Sequence, residues 1–122
     1  MFLIDSNIII YAVVPEHDFL RKFIAAKSPA VSVVSKIEVL GYYKLKESER
    51  KMFAVFFENA FVIGLSENIT NKAVELRQKR NMTLADSIIA ATALQASLTL
   101  VTRNSSDFTN ISGLKLYNPF DK

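Results

Sequence analysis

The chain has 122 residues, of which 50% are hydrophobic and 22% are charged, and this balance is typical of a folded globular protein. It contains no cysteine and a single histidine, His17, which excludes disulfides, thiolate zinc sites and cysteine nucleophiles. The net charge of +3 is compatible with a polyanionic partner. Any chemistry must therefore rest on carboxylates, hydroxyls, amides and cations, and carboxylate oxygens favour Mg²⁺ or Mn²⁺ over zinc or copper.

The sequence carries no pattern that predicts a membrane segment or a secretion signal. No stretch approaches the ~18 uninterrupted apolar residues that a membrane helix needs. The N-terminus lacks a basic flank, and Asp5 interrupts its apolar stretch. We therefore expect a soluble cytoplasmic protein that forms one domain over residues 1–122 and does not contact a membrane.

Short apolar segments alternate with segments of helical periodicity along the whole chain. Only three glycines and three prolines are present, which favours short loops. In chain order the pattern predicts a strand over 2–4, helices over 8–13 and up to about 27, a strand over 30–34, helices over 35–45 and 47–59, a strand over 61–63, helices over 66–80 and 83–96, a strand over 98–101, and a short last strand over 115–117.

The predicted strands are apolar throughout and lack the alternation of polar and apolar residues that is typical of a sheet with one solvent-exposed face. Apolar strands joined by helices indicate a mainly parallel sheet that is covered on both sides. The predicted fold class is therefore α/β, with three layers in the order α/β/α. In such sheets ligands bind beyond the carboxyl ends of the strands, so the residues that follow each strand are the candidates for a site.

Four acidic residues occupy such positions. Asp5 directly follows the first strand, Glu38 follows the second, Asp86 opens the helix over 83–96, and Asp107 follows the strand over 98–101. For any single one of them, helix capping is the simpler explanation, since Ser-x-x-Glu and Thr-x-x-Asp are capping patterns. Capping, however, does not require that the acids gather at one edge of the sheet.

Gathered carboxylates point to a metal ion. Two unit charges ~4 Å apart cost about 4 kcal/mol at an effective dielectric of 20, and a divalent cation removes that cost. Asp86 adds a second argument, because it begins a helix that is otherwise almost wholly apolar. A charge in that position is costly unless it is paired or bound to metal. These residues thus predict a Mg²⁺ or Mn²⁺ site.

Four segments carry a resemblance to a known family. They read FLIDSNI at 2–8, VVSKIEVL at 33–40, ADSIIAATA at 85–93 and LVTRNSSDF at 100–108, and the chain ends with GLKLYNPF at 113–120. In this order and at this length, the sequence resembles PIN domains, and its ending resembles that of VapC-type toxins from type II toxin–antitoxin pairs.

The resemblance implies a metal-dependent endoribonuclease that hydrolyses RNA phosphodiester bonds and leaves a 5′-phosphate. It also implies a cognate antitoxin and a homodimer. Asp5, Glu38 and Asp86 match the family's most regular acids. The fourth ligand stays open, because many relatives carry aspartate where this chain has Asn104 and the remaining charge here is on Asp107. Polar positions that line the site in relatives are matched by Ser6, Asn7 and Thr102.

Basic residues near these segments could contact RNA phosphates. Arg103, which adjoins the acidic segment, and Arg80 are the candidates. For Arg77 and Lys79 a solvated charged surface is the simpler interpretation.

Three other functions remain open at this stage. A PIN fold that binds RNA or protein without cleavage would suit the asparagine at position 104, and a stand-alone RNA-processing nuclease would suit the same acids. A receiver-like signalling domain also gathers acids at strand ends, but it needs an aspartate after a middle strand and a lysine after a late one. Here Gly64 follows Ile63 and Thr102 follows Val101, which disfavours that function.

Overall fold

The computed structural model describes residues 1–121, in which strands and helices alternate. The strands are β1 (Phe2–Ile4), β2 (Ala30–Ser32), β3 (Phe61–Ile63), β4 (Thr99–Val101) and β5 (Leu116–Tyr117). The α-helices are α1 (Ser6–Ala12), α2 (Asp18–Lys27), α3 (Val33–Leu40), α4 (Glu47–Asn59), α5 (Glu67–Lys79) and α6 (Leu84–Gln95). Two short 3₁₀ helices cover Pro15–His17 and Ser105–Phe108.

All five strands pair in parallel, in the order β3-β2-β1-β4-β5. β1 lies in the middle, and Ile4 pairs with Val31 on one side and with Val101 on the other. The chain builds the sheet outward from β1 to β3 and then crosses back to β4 on the opposite side of β1. The strand order therefore reverses between β1 and β4, and the crevice beyond that point is where open α/β sheets bind ligands.

Successive residues of each strand face two separate cores. Leu3 and Leu100 pack with residues of α5 and α6, whereas Ile4 and Val101 pack with residues of α1 to α4. All four side chains are fully buried, as expected for strands that are covered on both faces. The predicted α/β class with three layers and a parallel sheet is confirmed.

The start of α3 differs from the sequence-based expectation. The pattern predicted a strand to residue 34 and a helix from Ser35, but the strand ends at Ser32 and the helix begins at Val33. Ser32 caps the helix, because its hydroxyl accepts a hydrogen bond of 3.2 Å from the Val34 amide. The strand propensity of Val33 and Val34 is thus overridden by the cap at Ser32, which directly precedes them.

Within residues 1–121, every helix is too short or too polar to span a bilayer.

Candidate active site

Asp5 is the buried centre of the site. It lies one residue beyond β1 and is only 5% exposed. Its backbone amide donates to the Val101 carbonyl at 2.9 Å, which continues the hydrogen bonding between β1 and β4 by one residue. Its Oδ1 accepts from the Ser6 amide at 2.7 Å, so the carboxylate caps α1. Its Oδ2 accepts from the Thr102 hydroxyl at 2.8 Å and from the Asn7 side-chain amide at 3.2 Å. Both oxygens are therefore held in a fixed direction at the end of the central strand.

Burial raises the pKa of Asp5 to about 6, because the charged form is poorly solvated there. The hydrogen bonds from Thr102 and Ser6 act in the opposite direction, and the charges of Asp86 and Glu38 raise the pKa further. The hydrogen bonds that Ser6, Asn7 and Thr102 donate thus do not fully offset the cost of removing this carboxylate from water. A nearby cation would offset it, yet within residues 1–121 no basic side chain lies within 4.0 Å of Asp5, Glu38 or Asp86.

Thr102 links the ends of β1 and β4. Its hydroxyl donates to Asp5 and accepts from the Asn104 amide at 3.0 Å, and the residue is fully buried. Since a hydroxyl has one proton, the amide of Asn104 directs that proton toward the carboxylate. Thr102 and Asn7, which the sequence suggested as supporting residues, thus both donate to Asp5, and their part in a metal site stays a prediction.

Glu38 reaches the site from α3 and is oriented by α1. The Ser6 hydroxyl donates to Glu38 Oε1 at 2.7 Å, and the hydroxyls of Ser6 and Ser35 are 2.9 Å apart. Ser35 is fully buried, so this serine pair fixes one helix against the other. Glu38 itself lies on the exposed side of the contact, where its carboxylate faces the cavity described below.

Asp86 lies in the first turn of α6. Its amide donates to the Thr83 hydroxyl at 3.1 Å, so the predicted threonine cap is present. The carboxylate is half-buried, and its pKa is raised by burial first and then by the charge of Asp107, with the Thr83 hydroxyl lowering it and Glu38 raising it. Asp86 is therefore electrostatically linked to the acids on either side of it.

A cavity of about 660 Å³ brings three of the four predicted acids together. Asp5, Glu38 and Asp86 line one end with Ser6, Asn7 and Asn104, and the remaining wall is mostly apolar. Asp107 lines a neighbouring cavity of about 570 Å³ instead, and Asp86 stands between the two. Of the two candidates for a fourth ligand, Asn104 thus shares the first cavity and Asp107 lies on the far side of Asp86.

The donor set suits a hard divalent cation, because it consists of carboxylate, amide and hydroxyl oxygens with an uncompensated negative charge. Within residues 1–121, no three acidic or histidine side chains converge closely enough to hold an ion in the conformations described. The residue types therefore fit the chemistry of a Mg²⁺ or Mn²⁺ site.

The two predicted RNA-binding arginines lie on different sides of the acids. The Arg103 guanidinium packs against two aromatic rings that touch each other, 4.8 Å from the centre of Tyr11 and 4.2 Å from that of Phe120. Its backbone amide donates to Asn7 at 3.5 Å, next to Asp5. Arg80 lines the second cavity together with Asp86 and Asp107.

Two polar residues of the site escaped the sequence analysis. Ser35 was interpreted as the start of a helix, whereas it packs inside α3 against Ser6, 29 positions away in the chain. Glu49 also lines the first cavity, although its carboxylate accepts from the Lys46 amide at 3.1 Å in a capping contact. No local pattern marks Ser35, because its contact depends on how α1 and α3 pack.

Comparisons with known proteins agree with this geometry. The family model described as "PIN domain" matches residues 2–114. One chain of a toxin–antitoxin complex from Klebsiella pneumoniae is 29% identical, with a TM-score of 0.83 and coverage of 100% of both chains. A chain of VapBC2 from Rickettsia felis, bound to a DNA fragment from its promoter, is 25% identical, with a TM-score of 0.84 and coverage of 96% of this chain and 97% of that one.

A chain of FitAcB from Neisseria gonorrhoeae shares the fold at 21% identity, a TM-score of 0.79 and full coverage of both chains. No curated protein matches the sequence significantly. The family model covers nearly the whole chain, and the similar structures share its fold over almost their full length. The resemblance seen in the sequence is thus confirmed, and this chain belongs to the PIN-domain family.

Proposed function

We propose that this chain is a VapC-type toxin that cleaves RNA as a Mg²⁺- or Mn²⁺-dependent endoribonuclease. The observation that carries the proposal is the buried, uncompensated carboxylate of Asp5, which shares one cavity with Glu38 and Asp86 at the point where the strand order reverses. Burial of this carboxylate lowers the stability of the fold, and a bound cation would compensate its charge.

Asp5 and Asp86 would bind the ion directly, and Glu38 would bind it or orient the attacking water. Asp107 is the proposed fourth acid, on the far side of Asp86, with Asn104 as the alternative oxygen donor within the cavity. The chemistry that a bound Mg²⁺ or Mn²⁺ supplies here is polarisation of the phosphate and activation of water.

The chain's own residues would set the geometry of hydrolysis. Thr102 and Asn7 hold the carboxylate of Asp5 at the strand end, and Ser6 holds that of Glu38. Glu38 is the more exposed of these acids, which suits a group that takes up a proton from the water as it attacks phosphorus in line. The 3′ oxygen then leaves, and the product carries a 5′-phosphate. Arg103 and Arg80 would contact the substrate on either side.

The proposed partners are an antitoxin and a second copy of the chain. Support for the antitoxin comes from the relatives, since one similar chain belongs to a toxin–antitoxin complex and two others belong to DNA-bound VapBC complexes. A toxin that cleaves cellular RNA needs such an inhibitor.

The test is cleavage of a mixed RNA sample by the purified chain with Mg²⁺, with Mn²⁺ or with EDTA. The parent should cleave only when metal is present, and the Asp5→Asn and Asp86→Asn variants should be inactive while folded. Asp18→Asn is the matched control, because Asp18 is an exposed acid that pairs with Arg21 and Lys22 away from the cavity.

Asp18→Asn should cleave like the parent. Cleavage by both site variants at the parental rate would refute the proposed site. Melting curves with Mn²⁺ separate a nuclease from a binding module, because a metal-binding site stabilises the folded state. RNA binding without cleavage and without a shift of Tm by Mn²⁺ would favour the module.

A further inference from the structure

A polar trough leads away from Asp86 on the side opposite the first cavity. The cavity of about 570 Å³ that contains Asp107 is lined also by Arg77, Arg80, Asn81, Met82, Thr83 and Ser106. A further cavity of about 430 Å³ shares four of these residues and continues over residues 77–82. The two form one path, which begins at an acid of the proposed active site and runs along the loop between α5 and α6.

Two arginines in this trough lack a carboxylate partner. Arg21 and Arg50 lie within 4.0 Å of an acid, and Lys79 pairs with Glu75 at 3.2 Å. Among the described residues, Arg77 and Arg80 have no acid at that distance. Their positive charges are therefore available to an external anion.

Both guanidinium groups are nevertheless held in place. Arg80 Nη2 donates to the Thr109 carbonyl at 2.6 Å, and Arg77 Nε donates to the Met82 carbonyl at 3.3 Å. Neutral carbonyls fix the direction of each group without cancelling its charge, and several N–H donors remain on each. A planar guanidinium that is already oriented loses little entropy when it binds a phosphate.

We infer that Arg77 and Arg80 bind the phosphate of a nucleotide that flanks the scissile bond, which makes the trough the exit path of the RNA strand from the active site. The inference rests on the proposed function. A phosphate that approaches Asp86 and Asp107 meets like charge, and the two arginines on the same wall offset that repulsion. The trough is polar and offers no aromatic anchor of the kind that protein interfaces use, so nucleic acid fits it better than a protein partner.

The test measures binding of a labelled single-stranded RNA that the parent cleaves, in the Asp5→Asn background so that the RNA stays intact. Arg77→Gln and Arg80→Gln should each raise Kd about tenfold at low salt. Each should also reduce the slope of log Kd against log salt by about 0.7, as expected when one phosphate contact on a single strand is lost. Arg50→Gln is the control, because Arg50 is exposed, pairs with Glu47 and lines none of these cavities.

A scan with uncharged methylphosphonate linkages locates the contact. A methylphosphonate at one position beside the cleavage site should weaken RNA binding when both arginines are present. It should have no effect when both arginines are replaced, because the methylphosphonate and the arginine substitutions remove the same interaction. Additive losses at every linkage would overturn the inference, as would unchanged Kd and salt slope in both variants.

Two controls keep the outcomes distinct. Arg80→Gln removes the hydrogen bond to the Thr109 carbonyl, so Tm is measured for each variant to show that it is folded. Arg77→Gln leaves that hydrogen bond intact, and Arg80→Lys keeps the positive charge, so their Kd values separate loss of charge from loss of this bond. If the parent cleaves RNA with metal but the arginine variants bind like the parent, only the trough assignment fails. If the parent does not cleave RNA with Mg²⁺ or Mn²⁺, the proposed function fails, and the assignment fails with it.

Discussion

The interior of the sheet and its carboxyl edge are equally buried but differ in chemistry. Ile4 and Val101 are fully buried at the ends of β1 and β4, and the next residues, Asp5 and Thr102, are 5% and 0% exposed. One step along each strand thus replaces an aliphatic side chain by a carboxylate or a hydroxyl with almost no change in burial. The two regions therefore have opposite effects on the free energy of unfolding.

Burial of the aliphatic residues stabilises the fold, because it removes apolar surface from water. Burial of Asp5 opposes folding at neutral pH, because its pKa is raised to about 6 and its charged form is penalised. The carboxyl edge therefore contributes less to stability than the interior does, although it is buried as deeply. Its residues lie where the strand order reverses, and we expect the cost in stability to be confined to that edge.

The largest expected contrast is between Leu100→Ala in the interior and Asp5→Asn at the edge. Leu100 is fully buried, so its truncation should lower the free energy of unfolding by about 3 kcal/mol. A pKa raised from 3.8 to about 6 corresponds to about 3 kcal/mol of penalty on the charged form at neutral pH. Some of this gain is lost in Asp5→Asn, because asparagine has one acceptor oxygen where the carboxylate offers Oδ1 to Ser6 and Oδ2 to Thr102, so we expect a net stabilisation of about 1 kcal/mol.

The sign of the pH dependence provides the control for this contrast. The raised pKa means that the parent loses stability as pH rises through the window from about 4 to about 6, where the unfolded chain releases the Asp5 proton first. Asp5→Asn should lack this decline, so its advantage should appear only above about pH 5. Urea unfolding with EDTA at several pH values measures it. An Asp5→Asn variant that is less stable than the parent at neutral pH would contradict the comparison.

The next effect concerns metal affinity. Metal binding must displace the Asp5 proton below its pKa of about 6. We therefore expect the affinity for Mn²⁺ to fall as pH drops below that value, with a slope that approaches tenfold per pH unit for this one proton, and to level off above it. The raised pKa of Asp86 should steepen the fall. Calorimetric titration with Mn²⁺ measures the affinity, and a pH-independent affinity across this range would show that Asp5 is not a ligand.

A smaller effect is expected from the hydroxyl of Thr102. Thr102→Val removes the hydroxyl that donates to Asp5 Oδ2. In the parent this hydrogen bond lowers the pKa of the Asp5 carboxyl. The midpoint of the Mn²⁺ affinity profile should therefore move upward by about one pH unit, equivalent to about 1 kcal/mol. Thr102→Ser keeps the hydroxyl and loses a buried methyl, so it should lower Tm but leave the midpoint in place. Equal midpoints in the two variants would rule out a role for the hydroxyl.

Much of the fold follows from the sequence for a physical reason. Strands such as 2–4 and 61–63 are apolar without alternation, and the caps at Asp5 and Thr83 are local signals, so the order of elements and the parallel sheet could be predicted. The boundary at Val33 could not, because β-branched residues occur in both states and the Ser32 cap decided between them. The strand-end rule selected Asp5, Glu38 and Asp107, and the apolar helix over 83–96 drew attention to Asp86. Asp5, Glu38 and Asp86 line one cavity and Asp107 lines the next, and the role of all four as ligands stays a prediction.

Two features of the site depend on packing between distant segments of the chain. One is the contact between Ser6 and Ser35, and the other is the placement of Asn104 and Asp107 in different cavities. Asp107 sits in the 3₁₀ helix Ser105–Phe108, which is anchored by the fully buried Phe108, and this turn directs Asp107 toward the trough. No periodicity in the sequence specifies the direction of such a short turn.

The smallest expected effect comes from restoring an acid at position 104. Asn104 lines the first cavity and is exposed, so Asn104→Asp adds a carboxylate beside Asp5, Glu38 and Asp86 where solvent partly screens it. We expect Mn²⁺ to bind a few-fold more tightly and the metal-free protein to be slightly less stable, because the added charge lies among like charges. Asn68→Asp is the matched control, since it places the same charge on the exposed surface of α5 and should leave Mn²⁺ affinity unchanged. If Asn104→Asp also leaves the affinity unchanged, the fourth ligand is not supplied from this position, and Asp107 becomes the residue to replace next.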